Sequence, residues 1–356
     1  MDDITLLNEI KKKSVKVNNF IEQKTFSKPL EPLTLHNACK HLFLAGGKRV
    51  RSAITLFSCE AAGGIDEWAL PSAVAMELLH AYSLIHDDLI DRGTSRRGVP
   101  SVNIKYGEPA AILTGDILLT KVYESIGMTS EVPEVTVSQI LRVMETVTKS
   151  SIDLCEGQTL DISFSDSSMV GKVDENDCLR MISKKTGSLV AAATKTGGIL
   201  ANAKASEILA LEEYGRCFGT GYQIIDDVLD MIANKESFGK PVGGDLREGK
   251  CTLITVYAFN NAEKRELESI LAVLGNRNPS MGSIQKAIEA LHKCGAIEYA
   301  INTSEKYLTQ AIDSLQDFPG THEKEILTAF TPSLALKLAG VDTATLLPSS
   351  SNSKYW

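Results

Sequence analysis

A chain of 356 residues, 43% apolar and 23% charged, has an ordinary globular composition and is long enough for one large core or two smaller ones. Its 37 basic and 45 acidic side chains leave a net charge of −8, which excludes the basic footprint expected of a nucleic-acid partner. Seven scattered cysteines without a C-x-x-C pair read as reduced thiols of a cytoplasmic protein, and no apolar run reaches the length of a transmembrane segment. The N-terminus starts acidic and is amphipathic, unlike a signal peptide. In chain order, apolar residues recur at helical spacing over 4–23, 35–44, 50–62, 66–91, 108–127, 132–164, 175–200, 205–234 and 282–317, and each stretch is predicted to be helical. Breakers punctuate the pattern at Pro29 and Pro32, Ala45-Gly46-Gly47, Gly63-Gly64, Arg92-Gly93, Gly197-Gly198 and Gly239-Lys240-Pro241. No run alternates at hairpin spacing, so no sheet is expected. The expected fold class is all-α, one large helical bundle over residues 1–347, with 348–356 (PSSSNSKYW) a disordered tail.

Two predicted helices end in the same acidic group. Asp87, Asp88 and Asp91 close LLHAYSLIHDDLID; Asp226, Asp227 and Asp230 close GYQIIDDVLD, 139 residues later. On a helix the first and last Asp of each group lie about one turn apart. A single such group reads most simply as a solvated helix face. Two copies, each preceded by core-type residues (Leu84 and Ile85; Ile224 and Ile225), do not fit that reading. Crowded carboxylates repel one another, and a hard divalent cation relieves the repulsion. Mg2+ characteristically bridges protein carboxylates to substrate phosphates, so the two groups are expected to face each other and hold a metal-bound diphosphate.

Basic residues cluster near both groups. Gly46 and Gly47 precede Lys48, Arg49 and Arg51 at a predicted helix start, where backbone N–H groups and two cations one turn apart form an anion site. Arg96 and Arg97 follow the first Asp group within a few residues, which favours diphosphate contact over a merely solvated loop. Lys184-Lys185-Thr186-Gly187 interrupts a helical pattern, and the glycine-rich stretch 239–250 carries Lys240 and Lys250 behind the second Asp group. Two acidic groups with separate cationic patches suit two phosphorylated substrates, one of which loses diphosphate with metal help. His80 and Tyr82 precede Asp87 by two turns and by about 7.5 Å of helix axis, so a tail attached to a phosphate there would run past Leu78, Leu79 and Tyr82.

The ordered motifs GGKRVR (46–51), LLHAYSLIHDDLIDRGTSRRG (78–98), GQTLD (157–161), KTG (185–187), YQIIDDVLD (222–230) and GKPVGGDLREGK (239–250) resemble the trans-isoprenyl diphosphate synthases over about residues 40–255. The resemblance implies an all-α bundle around a deep central cavity, usually a homodimer. The implied reaction is the Mg2+-dependent condensation of isopentenyl diphosphate with dimethylallyl, geranyl or farnesyl diphosphate. It implies three Mg2+ ions on Asp87, Asp88, Asp91, Asp226, Asp227 and Asp230. Lys48, Arg51, His80 and Arg97 would bind isopentenyl diphosphate, and Arg96, Lys185, Lys240 and Lys250 the allylic diphosphate. Thr186 and Gln223 would turn oxygen dipoles toward the developing carbocation, and the released diphosphate would take the proton. The catalytic roles thus fall on Asp87, Asp88, Asp91, Lys185, Thr186, Gln223 and Asp226.

Two positions depart from the usual pattern: Ser52 where Pro commonly follows, and Tyr222 where Phe is commoner. In such enzymes the product grows along the helix before the first Asp group. There Tyr82 would form a floor and the small Ser83 would leave room, which points to a C20 product, geranylgeranyl diphosphate, with C15 the runner-up. A class I terpene cyclase would carry Asn/Asp, Ser/Thr and Glu in its second metal motif, and a non-catalytic synthase subunit would have degraded Asp groups. Both groups here are intact DDxxD.

Overall fold

The computed structural model describes residues 1, 3–232 and 242–330. Its helices, in chain order, are α1 (Asp3–Phe20), α2 (Leu33–Leu44), α3 (Val50–Ala61), α4 (Asp66–Ile90), α5 (Val102–Tyr106), α6 (Glu108–Gly127), α7 (Val137–Phe164), α8 (Glu175–Ile182) and α9 (Ser188–Leu200). There follow α10 (Ala205–Ile232), α11 (Gly244–Glu248), α12 (Leu253–Asn261), α13 (Lys264–Leu271), α14 (Met281–Lys293), α15 (Ala296–Ser314) and α16 (His322–Ala329). The fold is all-α, as expected. The C-terminal stretch 348–356 lies outside the described residues.

The helices gather into two compact units. The first comprises Met1–Thr159, Met181–Gly219 and Thr309–Ala329; the second comprises Leu160–Arg180, Thr220–Leu308 and, among the described residues, Phe330. Four of the boundaries fall inside α7, α8, α10 and α15 and the last directly follows α16, so no linker of distinctive composition marks them.

At the centre of the first unit α4 is apolar almost all round, as a fully enclosed helix must be: Val74, Ala75, Met76, Leu78 and Leu79 are buried. Pro71 sits inside it, and its carbonyl accepts a hydrogen bond from Ser125 Oγ at 2.7 Å. The equally apolar α9 lies against α3, and Gly197 is what lets it come so close: a Cβ there would stand 2.4 Å from Thr55 O.

A charged network ties α1, α3 and α4 together. Lys13 Nζ reaches Glu60 Oε1 at 2.6 Å and Asp66 Oδ2 at 3.0 Å, while Lys16 Nζ reaches Asp66 Oδ2 at 2.7 Å. Asp66 is only 4% exposed. Burial alone would raise its carboxyl, but neighbouring Glu67 and the hydrogen bonds from Lys16 and Lys13 hold it down to about 2 from the ordinary 3.8. A depressed folded-state value stabilises the fold above pH 3.8, and that contribution is lost as pH falls toward 2. Asp66→Asn is therefore expected to cost about 2 kcal/mol at neutral pH and to flatten the loss of stability between about pH 4 and 2. Urea unfolding across that range checks this; an unchanged acid limb in the variant would place the coupling on other groups.

Several segments differ from the sequence expectation. The stretch 175–200 is helical throughout, as expected, but carries a π-helical turn, Ser183–Gly187, between α8 and α9. The stretch 282–317 divides at Gly295, whose φ of +78° is the left-handed conformation that ends α14. Residues 95–100 form a hairpin of β1 (Ser95–Arg96) and β2 (Val99–Pro100), although no sheet was expected. Its turn residues Arg97 and Gly98 both have positive φ (54° and 76°), as a two-residue type I′ turn requires, but Arg replaces the usual Asn or Asp. Helices α5, α11, α12, α13 and α16 were not anticipated. They are short, and α12 buries Leu253, Ile254, Thr255, Val256 and Ala258 without a polar face to make a stripe.

Candidate active site

In the first unit α4 carries Asp87 and Asp88 on its last turn, and Asp91 caps it with an N–H bond to Asp87 O at 2.8 Å. Asp88 is buried and taken up by Arg96, whose Nη2 donates to Oδ1 at 2.6 Å and whose Nε lies 3.1 and 3.2 Å from the two oxygens. Gly93 lies against the same carboxylate, and a Cβ there would stand 2.8 Å from Asp88 Oδ1. Asp87 differs. Its Oδ1 is buried and accepts no hydrogen bond, with the Lys185 ammonium 3.5 Å away.

Lys185 and Thr186 sit on the π-turn, and Gly157 of α7 makes their position possible. A Cβ on Gly157 would fall 2.3 Å from Lys185 N and 2.7 Å from Lys185 Cα, so the two backbones touch. The turn sends adjacent lysines to different partners: Lys184 Nζ bonds Asp153 at 2.7 Å and Glu156 at 2.5 Å, while Lys185 approaches Asp87.

The basic residues of the same unit converge. Gly46 (φ +96°) and Gly47 (φ +133°) lead into Arg49, itself left-handed at φ 53°, before α3 begins. A Cβ on Gly47 would meet Arg97 Cζ at 2.8 Å and Arg49 Nη1 at 2.9 Å, so the bare glycine seats two guanidiniums side by side. Arg97 Nη1 donates to Leu42 O at 2.8 Å and Gly46 O at 2.5 Å. Arg51 Nη1 lies 3.2 Å from His80 Nε2. Burial, then Arg51, Arg97, Arg96 and Arg49, hold His80 well below the usual imidazole range. The ring is therefore neutral, accepts from Arg51 at Nε2 and keeps its proton on Nδ1. Burial also lowers Lys48.

On α4, five residues before Asp87, Tyr82 is half-buried, edge-on to His86 with ring centroids 4.8 Å apart. Burial, then the neighbouring Cys155 thiol, push its hydroxyl up to about 12. Gly115 of α6 accommodates His86: a Cβ there would lie 2.1 Å from the ring. Ser83 Oγ donates to His80 O at 2.9 Å.

In the second unit the last turns of α10 present Gln223, Asp226, Asp227 and Asp230. Gln223 Nε2 donates to Asp227 Oδ1 at 2.9 Å, and Asp230 Oδ2 accepts the Asp245 N–H at 2.9 Å. Lys250 Nζ lies 3.1 Å from Glu248 Oε2 and 3.8 Å from Asp245 Oδ1. Burial pushes Asp227 up to about 7, with Asp226 and Asp161 adding to the rise and Gln223 and Lys250 opposing it. Burial and the carboxylates of Asp230, Asp227 and Asp226 likewise raise Asp245, against the pull of Lys250. Lys240 lies outside the described residues.

The family model for polyprenyl synthetase matches residues 32–291. This chain belongs to the polyprenyl synthetase family. It is 39% identical to the geranylgeranyl diphosphate synthase of Methanosarcina mazei over 91% of its own length and 95% of that protein. It is likewise 39% identical to a short chain isoprenyl diphosphate synthase of Methanothermobacter thermautotrophicus, over 84% of this chain and 89% of that one. Among solved structures, the geranylgeranyl pyrophosphate synthetase of Pyrococcus horikoshii superposes with a TM-score of 0.84 at 37% identity, covering 93% of this chain and 98% of the other. As a member of the family, the chain is a prenyltransferase that condenses short prenyl chains.

Members depend on divalent metal, and the donor sets present suit a hard cation. Asp87 Oδ1 is an unused carboxylate oxygen, and the carboxylates of the second unit raise one another in the way a bound cation would relieve. Among the described residues, however, no three His, Cys, Asp or Glu side chains already converge as a metal cluster. The mutual repulsion explains why: Asp88 turns to Arg96, and Asp87 lies near Lys185. Several residues of these sites escaped the sequence reading. Asp161 and Asp245 stood inside quoted motifs without a role, Gly157 read only as part of GQTLD, and Arg49 read as one more cation. Glu77 stood unnoticed in an otherwise apolar helix, which was the available signal.

Proposed function

We propose that this prenyltransferase is a Mg2+-dependent geranylgeranyl diphosphate synthase, building C20 from isopentenyl diphosphate and allylic primers. The product length rests on Tyr82, a half-buried aromatic five residues before Asp87, braced by His86. In this reading Lys48, Arg51, His80 and Arg97 bind isopentenyl diphosphate. Arg96, Lys185, Lys240 and Lys250 hold the allylic diphosphate. Asp87, Asp88, Asp91, Asp226, Asp227 and Asp230 would hold three Mg2+ ions, which supply charge stabilisation for the departing diphosphate.

The protein's own groups do the rest. The cluster of guanidiniums, with neutral His80 donating from Nδ1, offers a preformed field for an anion and needs no reorganisation during reaction. Gln223 gives its amide N–H to Asp227 and so keeps its carbonyl oxygen for the allylic carbocation; in the same reading Thr186 supplies an oxygen dipole of its own. The allylic C1–O bond breaks, C1 joins C4 of isopentenyl diphosphate, and the C2 proton passes to the released diphosphate.

The exposed apolar side chains Ile112 and Leu113 of α6 and Leu141 and Ile152 of α7 support a homodimer. Among the described residues no helix is long and apolar enough to cross a membrane, and we place the enzyme in the cytoplasm with residues 1–347 acting as one synthase domain.

Supplying the purified protein with isopentenyl diphosphate, Mg2+ and C5, C10 or C15 primers is expected to accumulate C20. Predominant C15, or products of C30 and beyond, would overturn the length assignment alone. Conversion of a prenyl diphosphate without isopentenyl diphosphate would favour a cyclase, and inertness of the lone chain a subunit of a heteromeric synthase. Tyr82→Ala is expected to shift the distribution to products longer by one or more C5 units; an unchanged distribution puts the floor elsewhere.

A further inference from the structure

Glu77 is a carboxylate that the reaction scheme above does not use. It lies on α4, three residues before His80, in the middle of an apolar run, and is 3% exposed. A carboxylate this deep persists only beside compensating charge and hydrogen bonds. Its Oε2 lies 3.7 Å from Arg49 Nη1, and its Oε1 accepts from Ser52 Oγ at 3.4 Å. Ser52 Oγ also donates to Arg49 O at 3.0 Å, so one hydroxyl touches both members of the ion pair. Proline, commoner at this position, has no such group.

Arg49 is fixed from its other side by Asn18 Oδ1, 2.8 Å from Nε, and by Phe43 O, 3.0 Å from Nη2. Its remaining nitrogen, Nη1, lies over Gly47 beside the Arg97 guanidinium. Two guanidiniums seated on one glycine repel one another, and the buried Arg49 is poorly screened by water. Burial, and with it the fields of Arg49, Arg96 and Arg51, pulls Arg97 below the usual guanidinium range, and Glu77 acts against them. Glu77 also opposes the effect of burial on Arg49. Both Glu77 contacts are long, so it acts as a counter-charge beneath the cluster and leaves its donors directed elsewhere.

We propose that Glu77, oriented by Ser52, is a positioning residue for isopentenyl diphosphate: it fixes Arg49 and, across Gly47, Arg97 in the arrangement that receives that diphosphate. The inference rests on the assignment of the basic cluster as the isopentenyl diphosphate site. The test is steady-state kinetics with both substrates varied, for Glu77→Gln, Glu77→Asp, Ser52→Ala and Arg97→Met. Glu77→Gln is expected to raise KM for isopentenyl diphosphate by about 10-fold or more, with the allylic KM and kcat each within about threefold of the parent. Glu77→Asp should recover part of that loss, and Ser52→Ala should raise the same KM by about two- to fourfold.

A parental KM in Glu77→Gln, or equal rises in both KM values, overturns the proposal. Should Glu77→Gln fail to fold, Ser52→Ala decides: a parental KM there also overturns it. Arg97→Met separates the two layers. If it leaves KM for isopentenyl diphosphate unchanged, the assignment of the cluster fails and the proposal with it. If it raises that KM while Glu77→Gln does not, the positioning role alone fails.

Discussion

Asp87→Ala is expected to lower kcat by at least about 10³-fold while leaving the fold intact. The side chain holds a buried Oδ1 without a hydrogen-bond donor, 3.5 Å from the Lys185 ammonium. Such an oxygen costs stability when nothing coordinates it, so its removal should leave the unfolding midpoint unchanged or slightly raised. Opposite signs for stability and turnover are what a ligand oxygen, rather than a packing residue, produces. Mg2+-dependent binding of inorganic diphosphate should weaken in parallel, read by titration calorimetry. Retained turnover in the variant would undo the metal assignment for the first Asp group.

Gly157→Ala is expected to lower kcat by about 10²-fold, although Gly157 touches no substrate in the proposed reading. On propensity alone, alanine inside α7 should stabilise by up to about 1 kcal/mol. Packing dictates the reverse. The new Cβ would meet Lys185 N at 2.3 Å and Lys184 C at 2.8 Å, both backbone atoms that cannot swing aside as a side-chain tip can. The π-turn or α7 must shift, displacing Lys185 and Thr186, and overpacking should cost about 1–3 kcal/mol. Single-turnover rates together with thermal unfolding test both halves. A parental rate would show that the π-turn is not what sets the placement of Lys185.

The parts of this molecule that could be read from its sequence share a physical cause. Helices such as α4 and α10 announce themselves by a regular apolar face, and their closing Asp residues stand out because charge interrupts it. Partner choice is not periodic. Lys184 and Lys185 are adjacent and of one type, yet one bonds Asp153 and Glu156 while the other approaches Asp87, because consecutive side chains on a helix leave it in different directions. Nor does spacing tell that Asp88 is occupied by Arg96, or that Asp245 meets Asp230 through its backbone N–H. α12 escaped because burial on most sides removes the polar stripe that marks a helix. Glu77 is the opposite case: a lone charge in an apolar helix is visible, and its meaning emerges only with Arg49 and Ser52 in place.

The hairpin at 95–100 has a further consequence. Its two central cations are consecutive residues, yet Arg96 reaches Asp88 while Arg97 reaches Leu42 O and Gly46 O beside the other basic residues. In the proposed reading the two diphosphates would therefore be gripped from neighbouring positions, whose Cα atoms stand about 3.8 Å apart across one rigid peptide unit. A polymerising enzyme must bring reacting carbons to one spot in every cycle while its product lengthens. In the same reading the dipeptide would act as a fixed gauge at the head of the growing chain, and Tyr82 as the depth stop at its tail. Product length could then drift through changes at the stop without disturbing the chemistry at the gauge.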